Sequence, residues 1–227
     1  MNNLFKIALV IHILFAGTAL VIAPLAMVTV KGGLWHRRWG KIYFWSMAGI
    51  ALSATLLCWL RSGLFLFLIA IFSFYLALTG YRVLRRKQPA TKAGALDWCA
   101  TIAIVLASAG LIVLGVFGEN GSQRWVRIIF GAVGLLLGGT DVRTFLKPPL
   151  DRHAWMYSHL VRFLSAYVAT VTAFSAVNFL FLPYFWRWLW PTMLGTVGIT
   201  IWRKHYVRKF STKVPSPDTA LEPTPAP

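Results

Sequence analysis

This 227-residue chain has little acid, little cysteine and little charge of any kind. Six residues are Asp or Glu, against 23 Lys and Arg, and charged residues make up 13% of the chain. Soluble domains carry about 25%. Six acids leave little for general acid–base work. No G-x-S-x-G elbow or H-E-x-x-H helix occurs, and Gly32-Gly33 lacks the G-x-x-x-x-G-K-[ST] spacing of a phosphate loop. These absences lean against an enzyme. The two cysteines, Cys58 and Cys99, fall at opposite leaflets in the topology below. A hydrocarbon core of about 30 Å separates them, and a disulfide needs Cα atoms within about 7 Å. They do not pair, and no C-x-x-C spacing marks a zinc site.

What fills the chain instead is apolar: 58% of it. A span takes about 20 such residues. The runs fall at residues 4–30, 42–60, 64–84, 98–117, 126–146, 154–180 and 186–202. They predict an all-α, polytopic transmembrane bundle of about seven spans over residues 1–210. A disordered, Pro-rich cytoplasmic tail over 211–227 follows. The first run is too long for a signal-peptide core. The fifth is the shortest, with 13 charge-free residues at 128–140. Charge asymmetry argues for keeping it. Seven spans with the N-terminus outside put 17 of the 23 Lys and Arg in cytoplasmic segments and five outside. Without the fifth span the excess vanishes, against the positive-inside rule. The net charge of +17 is therefore read as topology and as attraction to anionic lipid headgroups, not as nucleic-acid binding. The lipid bilayer is the expected partner. A membrane-protein partner or a homo-oligomer remains open.

Polar groups inside spans are expensive and mark sites. Arg162 lies about 12 Å into the sixth run, and Asp141 about 7–8 Å from the inner end of the fifth. Their depths match, so an Asp141–Arg162 pair is expected. His159 shares a helix face with Arg162, and Ala166, Ala169 and Ala173 continue it inward. Gly134 and Gly138 nominate the fifth helix as the neighbour of that face. His36, read as a loop residue, His153, which opens the sixth helix, and His159 share the cytoplasmic leaflet. His153 and His159, six apart, point about 240° away from each other. A metal or haem pair must then use His36 with one of them. His12 has no second histidine in the outer half, which excludes a two-histidine haem there. Its expected partner is a backbone or Ser/Thr group. His205 is expected to be solvated. The candidate polar pocket is thus His36, Arg37, Asp141, His153, His159 and Arg162. It would bind or pass a small ligand or a proton, or hold a single haem b or metal ion through its histidines. The remaining reading gives these groups a packing role, in a structural or assembly partner of a membrane complex.

The chain also resembles a group of bacterial multi-pass membrane proteins classed as a domain of unknown function. The shared elements are His36, Arg37, Gly40 and Tyr43 after the first span, and His153, Met156, Thr172, Ala173 and Phe174 in a late one. The resemblance implies a bacterial inner membrane and a helical bundle, and brings no reaction with it. A looser similarity, the use of helix histidines, links the chain to membrane b-type cytochromes.

Overall fold

The computed structural model describes residues 3–88, 91–118 and 121–211. The tail expected to be disordered lies outside these residues, apart from Ser211. The described residues form seven α-helices and one short 3-10 turn: α1 (Asn3–Val28), α2 (Leu34–Arg61), α3 (Leu64–Arg82), η1 (Val83–Arg85), α4 (Ala95–Phe117), α5 (Ser122–Leu146), α6 (Ala154–Asn178) and α7 (Tyr184–Ser211). Six of them, α1 to α6, are long and apolar enough to cross a membrane. α7 is long enough but carries Arg187, Arg203 and Lys204 about its apolar middle. This is a multi-pass membrane protein in contact with lipid. Its outer surface agrees, since large apolar residues such as Leu14, Leu52, Leu106 and Leu136 are exposed.

Helix boundaries depart from the apolar runs where charge misleads. Residues 31–41 read as a loop because their basic residues interrupt hydropathy. Yet Gly33 caps a helix that starts at Leu34, so His36 sits in the first turn of α2. Nothing between Leu34 and Tyr43 except Gly40 opposes helix, and the helix runs on beyond its apolar part. α6 ends at Asn178, five residues before Pro183, and α7 continues past Trp202 to Ser211. His205 is therefore helical, though exposed as expected.

Three antiparallel hairpins, α1–α2, α4–α5 and α6–α7, surround α3, which packs against α2, α4 and α6. α3 consequently supplies much of the core, including Phe72, Tyr75, Leu76 and Ala77. The left-handed Ser62 makes the tight turn from α2 into α3. Successive helices reverse direction. The α1–α2, α3–α4 and α5–α6 connections and the C-terminal part of α7 therefore share one end, here the basic end.

Gly134 and Gly138 do form a close-packing stripe, but its partner is α4, not α6. A Cβ on Gly138 would meet Val105 and one on Gly134 would meet Ser108. Gly131 continues the stripe: its Cβ would lie 2.6 Å from Ile112 Cγ1 and 2.8 Å from the Ser108 carbonyl oxygen. A backbone atom cannot swing aside as a side chain can. Gly131→Ala should destabilise the α4–α5 hairpin by about 1–3 kcal/mol, read as a lower unfolding midpoint in detergent. On α6, Ala166 and Ala169 are buried as expected, whereas Ala173 is exposed. Ala173 lies in the last turns of α6, where Thr172 and Ser175 are the buried positions instead.

Candidate functional site

The structure divides the expected pocket in two. α6 and the end of α3 form the wall, and they meet closely at Gly80, where a Cβ would stand 2.6 Å from the Phe163 ring and 3.0 Å from Arg162 Cβ. His36, Arg37 and His159 lie on one side of this wall, Asp141 and Arg162 on the other.

On the smaller side, a cavity of about 190 Å³ is lined by Asp141, Arg162, Arg86 and the hydroxyls of Thr79, Thr140, Thr144 and Ser158. Arg162 is 8% exposed. Its Nη2 donates to Asp141 Oδ1, and Tyr75 donates its phenol proton to Asp141 Oδ2. The guanidinium also stands over the Tyr75 ring, 5.1 Å from its centre. The Asp141–Arg162 pair thus forms as the depths of its members predict, with an α3 tyrosine closing it. Each oxygen of this carboxylate thus accepts one donor, one from Arg162 and one from Tyr75, which ties α3, α5 and α6 together.

The larger cavity, about 450 Å³, lies at the basic end between α1, α2, α3, α6 and α7. That volume falls within the range of small-molecule sites, about 300–1,000 Å³. Its walls include Met27, Tyr43, Tyr81, Trp155, Met156, Phe163, Leu164, Trp202 and Tyr206. Tyr43, 2% exposed, packs its ring on Phe163 and donates to Thr170 Oγ1 at 3.4 Å. Four exposed cations stand about the opening, Lys31, Arg37, Lys41 and Lys87, and no acidic residue among those described lines it.

Two histidines face each other here, with ring centres 6.4 Å apart and planes at 72°. Each is oriented by a main-chain carbonyl. His36 Nδ1–H donates to the Ala26 oxygen at 2.9 Å, one of the carbonyls that the end of α1 leaves without a helical partner. His159 Nδ1–H donates to the Gly80 oxygen, also at 2.9 Å. A carbonyl only accepts, so both Nδ1 atoms carry the proton and both Nε2 atoms keep a lone pair in the neutral rings. Neither Nε2 has a hydrogen bond among the described residues, and neither is among the buried atoms sealed off without a partner. Both rings are half-buried.

The remaining candidates lie elsewhere. His153 caps α6 but turns outward, stacked on Phe210 at 4.7 Å and 3.6 Å from Asp151. It leaves the pocket because its helix position faces away from His159. His12 lies in α1 and donates through Nδ1 to Ser53 Oγ at 3.0 Å; the serine proton is directed to the Gly49 carbonyl. That satisfied contact gives His12 a packing role between α1 and α2. Among the described residues, no three His, Cys, Asp or Glu side chains gather as a metal cluster.

Two features escaped the sequence reading. Asp97 is 2% exposed and forms a bidentate pair with Arg82, at 2.7 and 3.0 Å, while accepting the Gly94 N–H at 2.9 Å. An acid three residues past a glycine, just before an apolar run, is the available signal for a helix start. Lys31, Lys41 and Lys87 read in the sequence as topology signals alone, since nothing in their local sequence distinguishes a cavity rim from a loop. Compared with protein-family models, curated proteins and solved structures, the chain finds no match.

Proposed function

We propose that this chain is a ligand-binding protein of a bacterial inner membrane, holding a small anionic amphiphile with a flat apolar body in the larger cavity. One observation carries the reading: an aromatic, apolar chamber whose opening has four cations and no acid. The walls would take the body of the ligand by burial and ring contact. The rim would take its anionic end. Asp141, Arg162 and His153 stand outside this role.

The proposal includes seven spans, with the N-terminus outside and the basic end in the cytoplasm. The charge asymmetry supports this, as does the packing of α7 against α5 and α6. An odd number of spans separates the termini. A fluorescent-protein fusion at the C-terminus should therefore mature and fluoresce, and the same fusion exported at the N-terminus should stay dark.

Binding is tested on the purified chain in nanodiscs, by quenching of Trp155 and Trp202 with metal-free protoporphyrin and with a cationic porphyrin of the same ring. The anionic probe should quench saturably and the cationic one should not. Lys31→Ala combined with Arg37→Ala should weaken the anionic probe roughly two- to thirtyfold, since exposed charges contribute about 0.2–1 kcal/mol each. Partial burial holds the Lys31 ammonium below its ordinary pKa. Its charge is present below that lowered value and lost above it, so anion affinity should fall as pH rises through it. Equal quenching by both porphyrins removes the proposal.

A further inference from the structure

We infer that the ligand is a b-type haem, with His36 and His159 as its two axial ligands through Nε2. The inference rests on the proposed reading of the cavity and adds the identity of the occupant.

Three observations bear on it. The first is the state of the imidazoles. A metal takes the neutral nitrogen lone pair, and its histidine ligands donate their other N–H to a carbonyl or carboxylate, which fixes tautomer and ring direction. Here both Nδ1–H groups are engaged by main-chain oxygens, and both Nε2 atoms are open. The second is distance. Two imidazoles bound trans to one metal atom, each at about 2 Å, have ring centres about 6 Å apart. The observed separation is 6.4 Å, whereas a tetrahedral ion would draw the rings to about 5 Å. The third is charge. A bare metal ion would enter a chamber ringed by Lys31, Arg37, Lys41 and Lys87 with no carboxylate to offset them. Haem brings two propionates for those cations and a flat macrocycle for Trp155, Phe163 and Trp202. Lys31 already donates to the Met27 carbonyl and Lys87 stands over Trp155, so an apolar quinone would use the walls but leave Arg37, Lys41 and both imidazole lone pairs without a counterpart.

The test uses the full-length chain in detergent, titrated with ferric haem and, in parallel, with metal-free protoporphyrin. Haem should bind roughly tenfold or more tightly than the metal-free ring, because losing even an outer partner of a metal ligand costs about that much. The bound haem should show the low-spin spectrum of two nitrogen ligands. His36→Ala and His159→Ala should each convert it to a high-spin spectrum, and added imidazole should restore the low-spin form. His159→Gln, which keeps a donor for the Gly80 carbonyl, should behave as His159→Ala; this separates ligation from folding. If haem and the metal-free ring bind equally and the histidine variants leave the spectrum unchanged, haem ligation is overturned while the amphiphile cavity stands. If neither porphyrin binds, both proposals fall.

Discussion

Asp141→Ala is expected to destabilise the protein by about 3–5 kcal/mol, the largest effect of any single substitution considered. The Arg162 guanidinium is buried between α3, α5 and α6, and its Nη1 has no partner among the described residues. Removing the carboxylate takes away its counter-ion and leaves the Tyr75 hydroxyl only the longer contact to the Leu137 carbonyl, at 3.4 Å. Arg162→Met should cost less, because the Asp141 side chain is 13% exposed and Tyr75 still donates to it. The double variant Asp141→Leu/Arg162→Met should recover most of the loss, as buried ion pairs exchanged for apolar residues generally do. Unfolding midpoints of the three variants in one detergent check this order. A double variant as unstable as Asp141→Ala would sink the ion-pair account. Metal-free porphyrin should bind the double variant as it binds the parent, because the cluster and the larger cavity lie on opposite sides of the α3–α6 contact.

Asp97→Ala comes second, with an expected loss of about 2–3 kcal/mol. The carboxylate joins the end of α3, through Arg82, to the start of α4, through the Gly94 N–H. Arg86 adds a longer contact at 4.0 Å. Arg82 is 14% exposed, so water compensates part of the loss, and the effect stays below that of Asp141. Asp97→Glu should not rescue it, since the longer arm cannot keep both the fork to Arg82 and the bond back to Gly94. Hydrogen exchange should rise first in the opening turns of α4 and spare α5 to α7.

The same two acids mark how far the residues could be read without coordinates. Asp141 and Arg162 were paired from depth alone, because position along a helix converts directly to distance along the membrane normal. Their neighbours could not be read that way. Arg162 and His159 are one helical face in sequence, yet α3 wedges in at Gly80 and sends the long guanidinium toward α5 and the imidazole toward α2. Rotation about the helix axis and choice of partner come from packing, which hydropathy does not encode. Gly134 and Gly138 show the same limit: small residues announce that a helix will approach, not which one. Asp97 was missed for the opposite reason. It sat where an apolar run begins, and was absorbed into the boundary.

What the sequence determined unaided is the solvent and the framework. Long apolar runs must satisfy their main chain as helices in lipid, and the basic loops lie on one side of the bundle. The depth of each polar group followed from these. Tertiary structure alone decided that His36 and His159 meet while His153 does not. It also decided that four loop cations surround one opening, and that the ion pair is closed behind a separate wall. Those outcomes depend on azimuth and on contacts between helices distant in the chain. Lipid presses equally on every apolar face and cannot select among them; close packing at a few glycines does.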